Sequence, residues 1–417
     1  MKTQIKQTAF LALIFFTFSC SKDDNNSKDK NANQAPFDFD IEAIADNKGL
    51  GIQINWEETT DPDGDNVTYN VMLGTEIVSE NVSTLSYSFT ASAYNTLQTG
   101  SIIAKDGKGQ EKMIPFSVNS SSLVNIRDPN FEALLINANI DLDGQVNGQM
   151  NYDRALEYTI LDISGENPLV TAIFTDLTGI ESFANLEYFN CSNHSITNLD
   201  LSHNLNLETL ICSNTDLTSV NIDKNKKLIS FTCISNNINT INFTNNIELE
   251  SMSLEGTPLT NIDISTNTKL KELNFGGTNL TTIDLTNNLE LKTLFIYESS
   301  FTSLDISKNI LLENLSCSVN NLSSLDVSTN VNLKSLVCGQ NNISTLDLSQ
   351  NSLLERLFCN DNVLNTLNIN NNNNQNLQSF NAKNNPSLTS ICVDDVPPSQ
   401  VISDNVDAGV TFTEICI

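Results

Sequence analysis

The sequence predicts a mostly β protein, a solenoid of 21-residue coils with a short helical N-terminal cap, preceded by a small β-sandwich. Three observations predict it. A Leu-Asp-Leu-like triplet starts at Leu199, Val220, Ile241, Ile262, Ile283, Leu304, Leu325, Leu346 and Leu367, each 21 residues after the last. Spacing this strict means stacked coils that bury apolar positions only against their neighbours. A capped helical pattern stands ahead of the repeats, and residues 36–118 alternate apolar and polar at period two, as half-buried sheet requires.

The chain has 417 residues and a net charge of −29, with 21 Lys plus Arg, which argues against a cationic nucleic-acid face. At the N-terminus, Lys2 and Lys6 precede an apolar run from Ala9 to Phe16 that is too short to span a bilayer and reads as an export signal over residues 1–20. Thr17-Phe18-Ser19-Cys20 follows it and resembles a bacterial lipobox, although Thr17 and Phe18 depart from the usual residues there, so ordinary secretion stays open. The resemblance implies that Cys20 becomes the acylated first residue and anchors the protein to the membrane through lipid. Residues 21–35 are too polar to fold and make a tether. Lys22-Asp23-Asp24 resembles the surface-export signal of Bacteroidetes lipoproteins, which implies an outer-membrane, surface-exposed lipoprotein, with a plain solvated linker as the competing reading.

In residues 36–118, Ile52, Ile54 and Trp56 alternate, as do Val67, Tyr69, Val71 and Leu73, and then Leu85, Tyr87 and Phe89. Trp56 is expected to pack between sheets. Thr60-Asp61-Pro62-Asp63-Gly64-Asp65 is a turn cluster whose three Asp suit either a hairpin or, less economically, a calcium ion. With Trp56 and this turn, the segment resembles a fibronectin type III or cadherin-like sandwich.

Residues 124–158 form the expected cap. Asp128-Pro129 opens a helix, with an Asp cap, Pro in the first turn and apolar residues three to four apart. Asn139, Asp141, Asp143, Gly144 and Val146 then match the first eight positions of an EF-hand-like loop, with Val146 facing inward and Ca2+ as the ion such oxygens would hold. Met150 stands where the bidentate Glu is required, so a decorative loop is the rival reading. With Leu177-Thr178-Gly179-Ile180-Glu181 and Asn185-Leu186-Glu187, the stretch from Val124 to Leu201 resembles the cap and first coils of internalin-like leucine-rich-repeat proteins. No other cofactor is expected.

Residues 159–391 carry the leucine-rich repeats. Counting Leu186 as position 1, positions 1, 4, 6, 11, 14 and 16 are apolar in nearly every copy, and two alternations suggest two strands per coil, at positions 4 to 6 and 14 to 16. Position 19 is Asn in all copies, from Asn204 to Asn372, and an Asn amide stacked there can donate to one coil and accept from the next. Position 9 is polar too, beginning at His194. His194 and His203 are the chain's only histidines, so a Cys-His or Ser-His-Asp nucleophile has almost nothing to be built from, and no enzyme is expected. Six Cys (Cys191, Cys212, Cys233, Cys317, Cys338, Cys359) occupy position 6, which Leu254, Phe275 and Ile296 also occupy, and so behave as small buried hydrophobes. Cys392 and Cys416 bracket Pro397-Pro398 in a C-terminal cap, residues 392–417, and are expected to close it as a disulfide. Asn370 to Asn374 lengthen one coil by two residues and should bulge.

Positions 3, 5 and 7 face solvent beside the inward residues of the first strand. Most are small and polar. Tyr188, Ile211, Ile234, Phe295, Tyr297, Val337, Arg356 and Phe358 break that pattern and are the candidate partner-binding residues, since aromatics and Arg on a rigid face are typical contact anchors. The expected partner is a protein bound in adhesion; the runner-up is a glycan captured for nutrient uptake.

Overall fold

A computed structural model describes residues 32–45, 50–170 and 172–416. Cys20 and most of the expected signal and tether lie outside the described residues. Two compact units are present, one drawn from residues up to 42, 54–87 and 99–117, the other from 43–53, 88–98 and 118 onward.

In the smaller unit the period-two pattern becomes antiparallel sheet. Thr68–Leu73 lies between Glu76–Val82 and Leu97–Lys105, with Glu111–Asn119 beyond. Trp56 is buried, its ring 5.7 Å from that of Tyr69, which also meets Phe39 edge-on at 5.9 Å. Tyr69 has a polar tip to satisfy, and its hydroxyl accepts the Thr59 N–H at 2.8 Å.

The larger unit begins its solenoid with the helix Pro129–Asn137. Asp128 caps it, accepting the Asn130 N–H at 2.9 Å through Oδ1, while its Oδ2 takes the Thr175 N–H at 2.8 Å and so ties the cap to the first coils. Phe131, Leu134 and Leu135 close the end of the core.

The coils then stack as a parallel sheet of eleven strands, from Ile160–Asp162 to Ser379–Asn381. Registers are residue to residue: Leu210 faces Phe231, which faces Met252, then Leu273 and Leu294. Strands about 4.8 Å apart make this sheet roughly 48 Å long. Each inward position meets its own counterpart above and below, which is why one apolar pattern repeated at 21 residues yields one continuous core.

The second alternation forms strands only near the two ends, in Asn198–Asp200 with Ser219–Asn221, and in Thr345–Asp347 with Thr366–Asn368 and Ser390–Cys392. This corrects the expectation of a far-side strand in every coil. Between those two groups no far-side strand is paired among the described residues.

After each near-side strand the chain turns sharply at position 8. That residue is left-handed in all ten coils that begin at Leu186 to Leu377, whatever its type: Asn193, Asn214, Ser235, Gly256, Gly277, Glu298, Val319, Gln340, Asp361 and Asn384 all have φ between 51° and 67°. Only some are residues that adopt this region cheaply, so stacking overrides local preference.

Candidate functional site

The near-side sheet places the candidate residues in two groups. In-register pairing runs Asn274, Phe295, Ser316, Val337, Phe358 and Asn381 along one row, so Val337 and Phe358 are direct neighbours and Phe295 lies two strands before Val337. Tyr188, Ile211 and Ile234 lie on the first three of these coils instead, one per coil at positions 3, 5 and 7. Every one of these apolar and aromatic candidates is half-buried, and Arg356 is exposed.

Two local constructions account for the half-burial of Phe358 and Tyr297. Arg356 lies over Phe358, its guanidinium carbon 4.6 Å from the ring centroid, an arrangement in which the planar cation covers the ring face and keeps its donors free. Tyr297 lies over Gly276: a Cβ built on Gly276 would come within 2.5 Å of the ring, so only glycine admits this contact. Burial raises the Tyr297 hydroxyl pKa to about 12, helped by its hydrogen bond to Glu255 and that carboxylate's charge. Asn274 holds Glu255 from the other side, donating Nδ2 at 2.8 Å. Burial also raises the Tyr188 hydroxyl, with Asp162 adding to it.

At the end of the sheet a cleft of about 610 Å³ opens beside Phe358. Gln378, Ser379, Asn381, Gln400, Asp404 and Asn405 line it, bringing hydroxyl, amide and carboxylate groups to one aromatic ring.

The EF-hand-like loop is differently organised. Asp143 accepts the Gln145 N–H at 2.7 Å and the Asn147 amide at 2.6 Å, and Asn139 offers its carbonyl oxygen to Arg154 at 3.1 Å. Glu132, buried in the cap helix, is the residue around which the loop folds, accepting the N–H groups of Asn147, Gly148 and Gln149 at 2.8 to 3.0 Å. Asp141 is buried and its carboxyl pKa is raised, first by burial. Val146, expected to face inward, is 56% exposed, because Ile140 and Met150 fill the core there instead. Among the described residues no group of three or more His, Cys, Asp or Glu is arranged to hold a metal ion.

The two polar rows of the coil divide the work that was expected of one. At position 19, Asn288 donates Nδ2 to two carbonyls of the preceding coil, Ile264 at 3.2 Å and Asn267 at 2.9 Å, and the same pair recurs from Asn204 to Asn351. The Oδ1 atoms of that row meet no donor among the described residues, so these amides donate and do not accept. Position 9 does both: Asn341 donates to the Cys317 carbonyl at 2.9 Å and accepts the Leu322 N–H at 3.0 Å. In the lengthened coil Asn372 is exposed, with φ of 61°, and Asn371 donates to the Asn351 carbonyl in its stead. The two extra residues shift the phase, which a count by 21 misses.

His194 fills its position-9 slot as a turn residue, its Nε2 2.6 Å from the Ile163 carbonyl and its ring stacked on Phe174 at 3.5 Å. Burial lowers its pKa. The six repeat Cys are free and fully buried, and burial raises each resolved thiol pKa, Cys338 to about 12. Cys392 and Cys416 are joined as a disulfide with Cα atoms 5.5 Å apart. The sequence reading overlooked the apolar residues of positions 20 and 21, which are among the chain's most exposed although their 21-residue spacing was visible.

Neither a protein-family model nor a curated relative matches the chain. Among solved structures it is similar to the functional domain of InlJ from Listeria monocytogenes, which includes a cysteine ladder, at 24% identity and a TM-score of 0.51, covering 68% of this chain and 69% of that one. It is also similar to an internalin, inlF, of Listeria monocytogenes, at 20% identity and a TM-score of 0.44, covering 70% of this chain and 96% of that one. The fold is an internalin-like leucine-rich-repeat fold.

Proposed function

We propose that this chain is a cell-surface protein-binding or adhesion module that offers the near-side sheet of its repeats to a partner, held at the outer membrane by lipid on Cys20, with the N-terminal sheets as a fibronectin type III or cadherin-like spacer. One observation carries the reading. Across the ten coils that begin at Leu186 to Leu377, positions 3, 5 and 7 are charged only at Glu255, Glu272, Arg356 and Lys383, in a chain of net charge −29. Charge depletion combined with aromatics and a stacked Arg is the composition of an interface core. The test is capture of surface proteins by cells displaying the full chain, against a Phe295→Ala/Phe358→Ala variant whose folding is checked by circular dichroism. At least tenfold weaker capture by the variant is expected, and equal capture overturns the reading. Lipid-probe labelling that persists in Cys20→Ser would overturn the anchor.

The cleft beside Phe358 favours a glycan as the second reading, since an aromatic face flanked by amides and a carboxylate suits a sugar ring. Binding on a glycan array, lost in Phe358→Ala and unaccompanied by protein capture, would replace the first reading with this one.

A further inference from the structure

In the ten coils that begin at Leu186 to Leu377, the most exposed apolar residues are off the sheet face. They stand on one edge, at the turn that leads into each near-side strand: Leu205 (53% exposed), Ile247 (51%), Leu289 (53%), Ile310 (54%), Val331 (47%) and Leu353 (46%). Leu289, Ile310 and Val331 are 21 residues apart, so they stack on three consecutive coils as an unbroken ridge. Nothing in the core needs them, because positions 1, 4 and 6 of the same coils are already filled.

The charge on this edge is as unusual as its apolarity. Every lysine between residues 186 and 382 stands at position 18, 20, 21 or 2, all on this edge, where eight lysines stand among seven glutamates. Lys269 pairs with Glu248, Lys271 with Glu250 and Lys334 with Glu313, each across adjacent coils at 2.5 to 2.8 Å. On the far side, by contrast, Asp263, Asp284, Asp305 and Asp326 stack in a row without a cation between them.

We infer that this edge is an interface between two copies of the chain, packed ridge to ridge about a twofold axis at Ile310. Charge decides the occupant. Two acidic chains repel each other over most of their surfaces, and an edge with balanced, alternating Lys and Glu is self-complementary, whereas an anionic membrane or acidic partner gains nothing from a neutral face. An axis at Ile310 pairs the ridge with itself from Thr268 to Leu353, four coil steps or roughly 19 Å, across a turn no wider than roughly 20 Å. About 400 Å² per copy follows, the size of a weak interface, which anchorage of both copies to one membrane would favour. With antiparallel ridges, Leu289 meets the partner's Val331 and Ile310 meets its own copy across the axis.

The test uses the full chain displayed on cells, with Ile310→Cys and, as a control on the opposite face, Asp326→Cys, under mild oxidation. The native repeat thiols are buried and do not interfere. Ile310→Cys is expected to form a band of twice the chain's mass, at least tenfold stronger than Asp326→Cys. Adding Val331→Asp should abolish it, while Val331→Ser, a milder change at the same exposed site, should weaken it. Three outcomes overturn the inference: no doubled band, an equal band from Asp326→Cys, or a cross-link to a species of another mass. Partner capture by Phe295 and Phe358 is read separately, so either proposal can fail alone.

Discussion

Replacing Asn309 with Ala tests the stacking physics directly. Asn309 is 1% exposed and donates Nδ2 to the carbonyls of Leu285 at 3.2 Å and Asn288 at 2.9 Å. Alanine removes both donors. Each carbonyl keeps one backbone partner, since Asn288 N–H bonds Leu285 and Leu291 N–H bonds Asn288, so neither is orphaned. The loss is therefore set by two hydrogen bonds at the middle of their net range, about 1 kcal/mol each, and the total is about 2 kcal/mol. Asn309→Asp keeps the shape but aims a buried negative charge at the same two carbonyls, and its cost should reach about 3 to 5 kcal/mol. Urea unfolding of the full chain, followed by circular dichroism, measures both. An alanine variant within about 0.5 kcal/mol of wild type, or an aspartate variant milder than alanine, would refute the donor-only ladder.

Val319 is a β-branched residue at φ of 55°, where Asn193, Asn214 and Asn384 serve other coils. Val319→Asn should relieve about 1 kcal/mol and raise the melting temperature, and a lower one would show that stacking does not impose the strain inferred. The six repeat thiols should resist an aromatic disulfide reagent at pH 8 until urea unfolds the chain, because all six are buried out of reach and burial also keeps Cys191, Cys212, Cys317, Cys338 and Cys359 protonated. A thiol that reacts at once in native buffer would contradict that. Asp284 accepts the Thr286 hydroxyl at 2.7 Å and its N–H at 2.9 Å, which hold its pKa below the usual carboxylate value. A depressed folded-state pKa means that this contribution is present above the ordinary carboxylate range and is lost as pH falls through the folded value. Thr286→Val should move the Asp284 titration upward by NMR, and an unmoved curve would remove the hydroxyl from the account.

Much of the molecule was legible in one dimension. A 21-residue period with fixed apolar positions dictates a stack, because every inward residue meets its own copy in the next coil; Leu210, Phe231 and Met252 needed no other information. Cys at a position shared with Leu and Phe announced burial, and an invariant Asn announced a backbone need. The limits of this reading were equally physical. Which way each amide bonds depends on carbonyls 21 and 24 residues away, so the donor-only row of Asn288 and the two-way row of Asn341 look alike as letters. Glu132 and Gly276 were unremarkable until the loop backbone and the Tyr297 ring were placed against them.

By itself, then, the sequence determined the repeat, the buried positions and the candidate face, because periodicity is a local property that stacking copies without change. Tertiary structure alone decided the left-handed residue of each coil, the replacement of Asn372 by Asn371, and which apolar residues stay in water. Those depend on where neighbouring coils put their backbone, and a side chain is buried or exposed only relative to that.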